Sequence, residues 1–162
     1  MEFIDVVSET DEVIGQAPKN EIYEKRLLHR IVHIFVFNDK GEMALQLQSK
    51  YKKFCPQHWV TSAAGHVISG ETEEAAAIRE LEEETGIRTQ VEFLYKDLYN
   101  VSSNFRKILI TFKSGFNGPF KINPMEVEKI EFFTIDKIKE MIKSGEKFHP
   151  ELLFLLKKHF NI

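Results

Sequence analysis

The sequence predicts a mixed α/β domain in which helices pack on a β-sheet. Short β-branched and aromatic runs lie on both sides of one central helical segment. That segment has a start signal at Thr72 and a glycine stop at Gly86. Two further helical segments close the chain, so the order is strands, helix, strands, then two helices. A length of 162 residues fits a single domain over 1–162, and 14 Phe supply much of the bulk of one core.

FIDVV (3–7) and VIGQA (13–17) flank the polar turn SETDE and read as a hairpin. Residues 20–29 read as a short helix or an irregular crossing segment. IVHIFVF (31–37) is β-branched and aromatic on both faces, as in a buried strand. After the turn NDKG, Met43, Leu45 and Leu47 alternate with small or polar residues, which predicts a half-buried strand over 42–49. Residues 50–58 are a loop, and WVTSAA (59–64) is one short strand ending at Gly65. Thr72 caps the central helix, with Glu73 and Glu74 in its first turn. Strands follow near 91–101, 106–114 and 127–134, with a Gly, Asn and Pro-rich loop over 115–124. A helix starts near Asp136, and the last starts at His149-Pro150, where proline suits the first helical position.

Composition excludes several classes. The 22 basic and 25 acidic residues leave a net charge of −3 and no broad basic surface, so no polymeric nucleic acid partner is indicated. A small charged ligand is compatible with that balance. Cys55 is the only cysteine, which rules out an intrachain disulfide and fits a reducing cytoplasm. The first residues, MEFIDVVSETDEV, lack a basic stretch and a long apolar run, so no signal peptide is expected. No apolar stretch approaches a bilayer span, and no membrane partner is expected. The apolar last helix either closes the core or meets a second subunit in a homodimer. Core closure is expected, because a domain this size must bury most of its apolar helix faces.

The segment GHVISGETEEAAAIRELEEETGI (65–87) holds seven carboxylates. At 100° per residue, Glu83 lies about 60° to one side of Glu80 and Glu84 about 40° to the other. Glu82 falls nearly opposite. Ala76 and Ala77 lie on the side of the trio, where small side chains let a ligand or another backbone approach. Like charges on one helix face repel by a few tenths of a kcal/mol each, and more when partly buried. Mg²⁺ or Mn²⁺ would reverse that sign, since both prefer hard oxygen ligands. A solvated face with an Arg79–Glu83 pair is the ordinary alternative.

The spacing decides between these readings. Gly65, five residues, Glu71, seven residues, Arg79-Glu80-Leu81-Glu82-Glu83-Glu84-Thr85-Gly86-Ile87 agrees with every fixed position of the Nudix box. The segment therefore resembles the Nudix hydrolase superfamily. That resemblance implies a metal-binding loop-helix-loop in an α/β/α sandwich with a mixed β-sheet. It implies Glu83 and Glu84 as main metal ligands, Glu80 as a ligand or base, and the Gly65 carbonyl as a further ligand. It implies that Glu71 and Arg79 hold the loop against the helix, and that the cofactor is Mg²⁺ or Mn²⁺. Family members cleave a small-molecule diphosphate linked to another moiety, and metals neutralise its oxygens and activate water.

LHRIVHIFVFNDKGEMALQLQS and the FCPQHW loop resemble the isopentenyl-diphosphate isomerase-like branch of the superfamily. Its isomerases transfer protons at carbon with a cysteine, a glutamate and a histidine-rich metal site. Here the cysteine position is Ala64, which transfers no proton. His66 and His29 match two of the isomerase histidines, and each is read as a structural hydrogen-bonding group or a substrate contact. A third histidine falls on Ile22, and paired glutamates fall near Ser103 and Phe105. Cys55 lies nine residues from Ala64 and is no substitute by position. Hydrolysis is therefore expected over isomerisation, with a non-catalytic diphosphate-binding domain as a third possibility. A general base is also needed. Glu80 and Glu126 are the candidates, ahead of Glu128, against an ordinary exposed carboxylate at each. Lys50, Lys52 and Lys53 surround Tyr51 and would attract phosphate, with Lys53 the lysine assigned to substrate; an ordinary solvated loop is the slightly favoured alternative.

Overall fold

The computed structural model describes residues 1–162. Strands β1 (Phe3–Val7) and β2 (Val13–Pro18) form a separate antiparallel hairpin. Helix α1 (Lys19–Lys25) resolves the crossing segment as helical and ends at Arg26 in the left-handed conformation. Ile22 buries completely with Ile4 and Ala17 in a small core beneath the hairpin.

The main sheet contains β3 (Arg30–Phe37), β4 (Met43–Gln48), β5 (Trp59–Val60), β6 (Ala63–His66), β7 (Glu92–Ser102), β8 (Phe105–Gly115) and β9 (Val127–Phe133). Its spine runs β5-β4-β3-β8-β7, with β6 on β3 and β9 on β4. Only β3 and β8 pair in parallel, so the sheet is mixed.

Alternation along β3 and β8 sends residues to two cores. Val32, Ile34, Val36, Ile108, Ile110 and Phe112 face α2 (Glu73–Thr85), which buries Ala76, Ala77 and Leu81 against them. Ile31, Phe35 and Leu109 face the opposite side, covered by α3 (Ile135–Lys143) and α4 (Pro150–His159). Leu152, Leu155 and Leu156 are buried there, so α4 closes this core. The result is the expected α/β/α sandwich with a mixed sheet.

The sequence reading needs two corrections. WVTSAA is not one strand. It breaks at Thr61-Ser62, and pairing continues through Gly65 to His66. The Ser62 hydroxyl accepts from Val36 N–H at 2.8 Å and donates to Ala44 O at 2.6 Å, replacing ladder bonds between β3 and β4. Strand β4 is also not half-buried: Ala44 and Gln46 are as buried as Met43 and Leu45, because α2 covers their face. The helix signals agree in detail. Thr72 Oγ1 accepts from Ala75 N–H at 3.1 Å, and Gly86 takes φ 77°. At α4, His149 Nδ1 accepts from Glu151 N–H at 3.0 Å with Pro150 following it.

Candidate active site

Arg79 organises the loop that enters α2. Its Nε and one terminal nitrogen donate to the two oxygens of Glu71 at 2.9 and 2.7 Å. The latter nitrogen also reaches His66 O at 3.0 Å, and the other terminal nitrogen donates to Glu80 Oε1 at 2.7 Å. Glu71 Oε1 accepts Ile68 N–H at 2.9 Å as well. One planar guanidinium thus ties loop 66–71 to the helix through a bidentate pair, a geometry lysine cannot reproduce. Burial alone would raise the Glu71 carboxyl, but the Arg79 bonds outweigh it and hold it below its ordinary value.

Gly65 faces α2, and the Glu80 carboxylate lies directly against it. A Cβ at position 65 would overlap that carboxylate. The φ of Gly65 is not in the left-handed range, so the requirement is for space alone. Gly86 combines positive φ with a close neighbour: a Cβ there would come 2.8 Å from that of Lys121.

Glu80, Glu83 and Glu84 share the face that helical periodicity predicts. Glu84 is partly buried and accepts Gln46 Nε2 at 3.0 Å. Burial first, and then the adjacent Glu80, push its carboxyl well above the ordinary value. Glu83 is shifted upward by partial burial and by Glu80. The three do not converge into a finished cage: no three His, Cys, Asp or Glu side chains meet at metal-ligating geometry, and Glu83 leans to within 3.5 Å of Arg79. The donor set still suits a hard divalent cation, because crowding drives Glu84 towards protonation when no cation offsets the charge. Ala76 and Ala77 are fully buried under the sheet, so their small size admits another backbone and not a ligand. Glu82 is exposed and pairs with Arg88.

Other residues assigned from sequence lie apart from the trio. Glu126 pairs with Lys52 at 2.7 Å, and its backbone carbonyl accepts from Ser49 N–H; none of its contacts is with α2. Glu128 and Lys53 are exposed, and Lys53 forms no ion pair. Lys50 lies over the Tyr51 ring. Because β6 alternates, His66 points to the face opposite Gly65 and Glu80. There His66 Nε2 bonds the Tyr23 hydroxyl at 2.9 Å, and its ring stacks on His29 with centroids 5.5 Å apart. His29 Nδ1 donates to Leu27 O at 2.9 Å, and its buried Nε2 has no partner. Burial lowers His29 to about 4, and burial plus His29 lowers His66 to about 3. Of the other isomerase positions, Ala64 pairs with His33, Ile22 is core, and Phe105 packs on Tyr23 and His29. Trp59 is core, edge-on to Phe133.

Two polar groups escaped the sequence reading. Gln46 reaches across the core to Glu84. On the α4 face, Glu151 accepts from Lys107 at 3.0 Å and from His33 at 2.9 Å. A histidine inside the otherwise apolar run IVHIFVF was the available signal for that cluster.

Comparison with known proteins bears on the family and the fold. The family model described as NUDIX domain matches residues 27–156. An uncharacterized Nudix hydrolase of Listeria monocytogenes is 32% identical, covering 100% of this chain and 95% of its own length. A Photorhabdus laumondii protein named isopentenyl-diphosphate Delta-isomerase 2 is 31% identical, covering 89% of this chain and 84% of its own. The crystal structure of DR0079 from Deinococcus radiodurans superposes with a TM-score of 0.83 at 25% identity, over 97% of this chain and 98% of that one. A complete box on a glycine-seated helix, a family match across most of the length and a shared sandwich lead to one conclusion: the chain belongs to the Nudix family.

Proposed function

We propose that the protein is a Mg²⁺- or Mn²⁺-dependent hydrolase of a small organic diphosphate, such as a nucleoside-diphosphate-linked compound, working in the cytoplasm as one domain over 1–162. The observation that carries this reading is the intact carboxylate face of α2, with Glu84 forced upward in pKa by burial and Glu80. Glu83, Glu84 and Glu80, with the Gly65 carbonyl, are the residues that would hold the cation. A divalent cation there supplies neutralisation of phosphate oxygens and activation of water. Arg79 and Glu71 fix the loop, and Gly65 leaves room for the Glu80 carboxylate. Glu80 is the favoured proton acceptor. Glu126 becomes a weaker candidate, since Lys52 holds its carboxylate. His29 and His66 are proposed to line the far side of the substrate site.

The isomerase-named relative raises a second reading, proton transfer at carbon. Ala64 has no proton to give. Burial, and then Glu151, raise the Cys55 thiol, so it is no ready thiolate either. The test is a panel of nucleoside diphosphate and prenyl diphosphate compounds with Mg²⁺. Monophosphate release that disappears in Glu83→Gln and Glu84→Gln supports the proposal. Unchanged turnover in both variants would overturn the ligand assignment.

A further inference from the structure

The hairpin of β1 and β2 lies outside residues 27–156, which the NUDIX domain model matches, and none of its residues takes part in the proposed reaction. It still grips the box segment at two places. Ile4 pairs with Ala17 on one edge of β1 and with Ile68 on the other, so β1 lies between β2 and the loop that enters α2. Ser69 N–H donates to Phe3 O at 2.8 Å, and the Ser69 hydroxyl donates to Asp5 Oδ1 at 2.7 Å. At the hairpin turn, Asp11 accepts from Arg30 Nε at 2.7 Å and from Lys96 at 2.6 Å. Lys96 also donates to Glu73, in the first turn of α2, at 2.8 Å.

The hairpin is a fixed reference for that loop. Ile4 is buried with Ala17 and Ile22 in a core of its own, and Val7 N–H donates to Leu28 O at 2.9 Å. Arg79 reaches His66 O and Glu71 bonds Ile68 N–H, but neither side chain bonds Ser69 or Gly70. Gly70 has φ 87°, and a Cβ there would meet open space. A permissive glycine beside Ser69 leaves the path of the loop to be set by what holds its neighbours. Asp5 holds Ser69 through a bond to a carboxylate, the stronger kind of hydrogen bond. Burial and Glu80 raise the Glu83 carboxyl, Arg79 opposes them, and Glu2 adds to the rise. The start of β1 therefore lies within electrostatic reach of the carboxylate face.

We propose that Asp5 is a positioning residue for the cation site. Through Ser69 it anchors the loop that joins Gly65 to Glu71, and so holds the Gly65 carbonyl in place against the carboxylate face of α2. The role at the cation rests on the hydrolase reading, whereas the anchoring of the loop does not.

The test pairs amide hydrogen exchange in the loop with Mn²⁺ affinity, read by electron paramagnetic resonance of the free ion, on the full chain. The Ser69 and Glu71 amides are both hydrogen-bonded. In Asp5→Ala and in Ser69→Ala they are expected to exchange roughly tenfold faster, and Mn²⁺ to bind roughly threefold more weakly. Ser69→Ala covers an Asp5 variant that fails to fold. Asp5→Asn keeps an acceptor for the Ser69 hydroxyl and should stay within about twofold of wild type in both readouts. The Asp5→Ala/Ser69→Ala double variant should match the weaker-binding single variant, because both changes remove one bond. Thr72→Ala lowers stability without touching that bond and should leave Mn²⁺ affinity unchanged, which separates positioning from general destabilisation. Wild-type exchange in both alanine variants overturns the anchor. Faster exchange with wild-type Mn²⁺ affinity, where Glu83→Gln weakens Mn²⁺, overturns the positioning role alone. Mn²⁺ affinity that Glu83→Gln leaves unchanged defeats the metal-ligand reading and the positioning role with it, while the exchange rates still decide the anchor.

Discussion

Gly65→Ala separates stability from function, because position 65 requires only space. The added methyl would overlap the Glu80 carboxylate, the far end of a flexible side chain. The carboxylate can swing away and lose its 2.7 Å bond to Arg79, which keeps its bidentate hold on Glu71. A partly exposed charged bond of this kind contributes about 1 kcal/mol. Replacing Gly by Ala at a compatible φ returns about 0.4–1 kcal/mol through the unfolded chain. The two nearly cancel, so Tm should move by less than about 4 °C. Activity should fall much further, since displacing a reacting group by about 1 Å costs on the order of 100-fold. Thermal denaturation and steady-state diphosphate hydrolysis on the same preparation measure both. Activity within threefold of wild type would refute the reasoning, and so would a Tm loss above about 10 °C.

Other substitutions probe the remaining parts. Glu84→Gln should raise the Tm of the metal-free protein while abolishing turnover. The folded carboxyl is shifted up, so above its unfolded pKa it opposes folding, and an amide removes that opposition. Arg79→Lys should destabilise by about 2 kcal/mol in urea titration, because the bidentate pair with Glu71 is lost. Glu71, Asp11 and Asp97 are shifted below their ordinary values. Their stabilisation is fully present above the unfolded carboxyl range and fades as pH falls through the folded values, so the urea midpoint should drop below about pH 4. Thr72→Ala should cost about 1 kcal/mol and leave turnover per folded molecule unchanged.

Legibility in the sequence followed the range of the interaction. Caps and stops at Thr72, Gly86, His149 and Pro150 are local and could be read directly. The carboxylate face of α2 follows from helical periodicity, and the box spacing identified the family. Strand burial was less legible, since the α2 layer that covers Ala44 and Gln46 is distant in sequence. The break at Thr61-Ser62 depends on a hydroxyl reaching two other strands. The Lys107–Glu151–His33 cluster joins residues separated by 44 and 118 positions, and no local pattern links them. Glu126 was placed near the chemistry by its loop, but that reading could not foresee its pairing with Lys52.

Hydrolysis in ¹⁸O-labelled water with Mg²⁺ tests the central claim most directly. A diphosphate hydrolase must place one labelled oxygen in a released phosphate product, and Glu83→Gln should abolish that label. A prenyl diphosphate returned as its double-bond isomer, with no label and no phosphate released, would contradict the account.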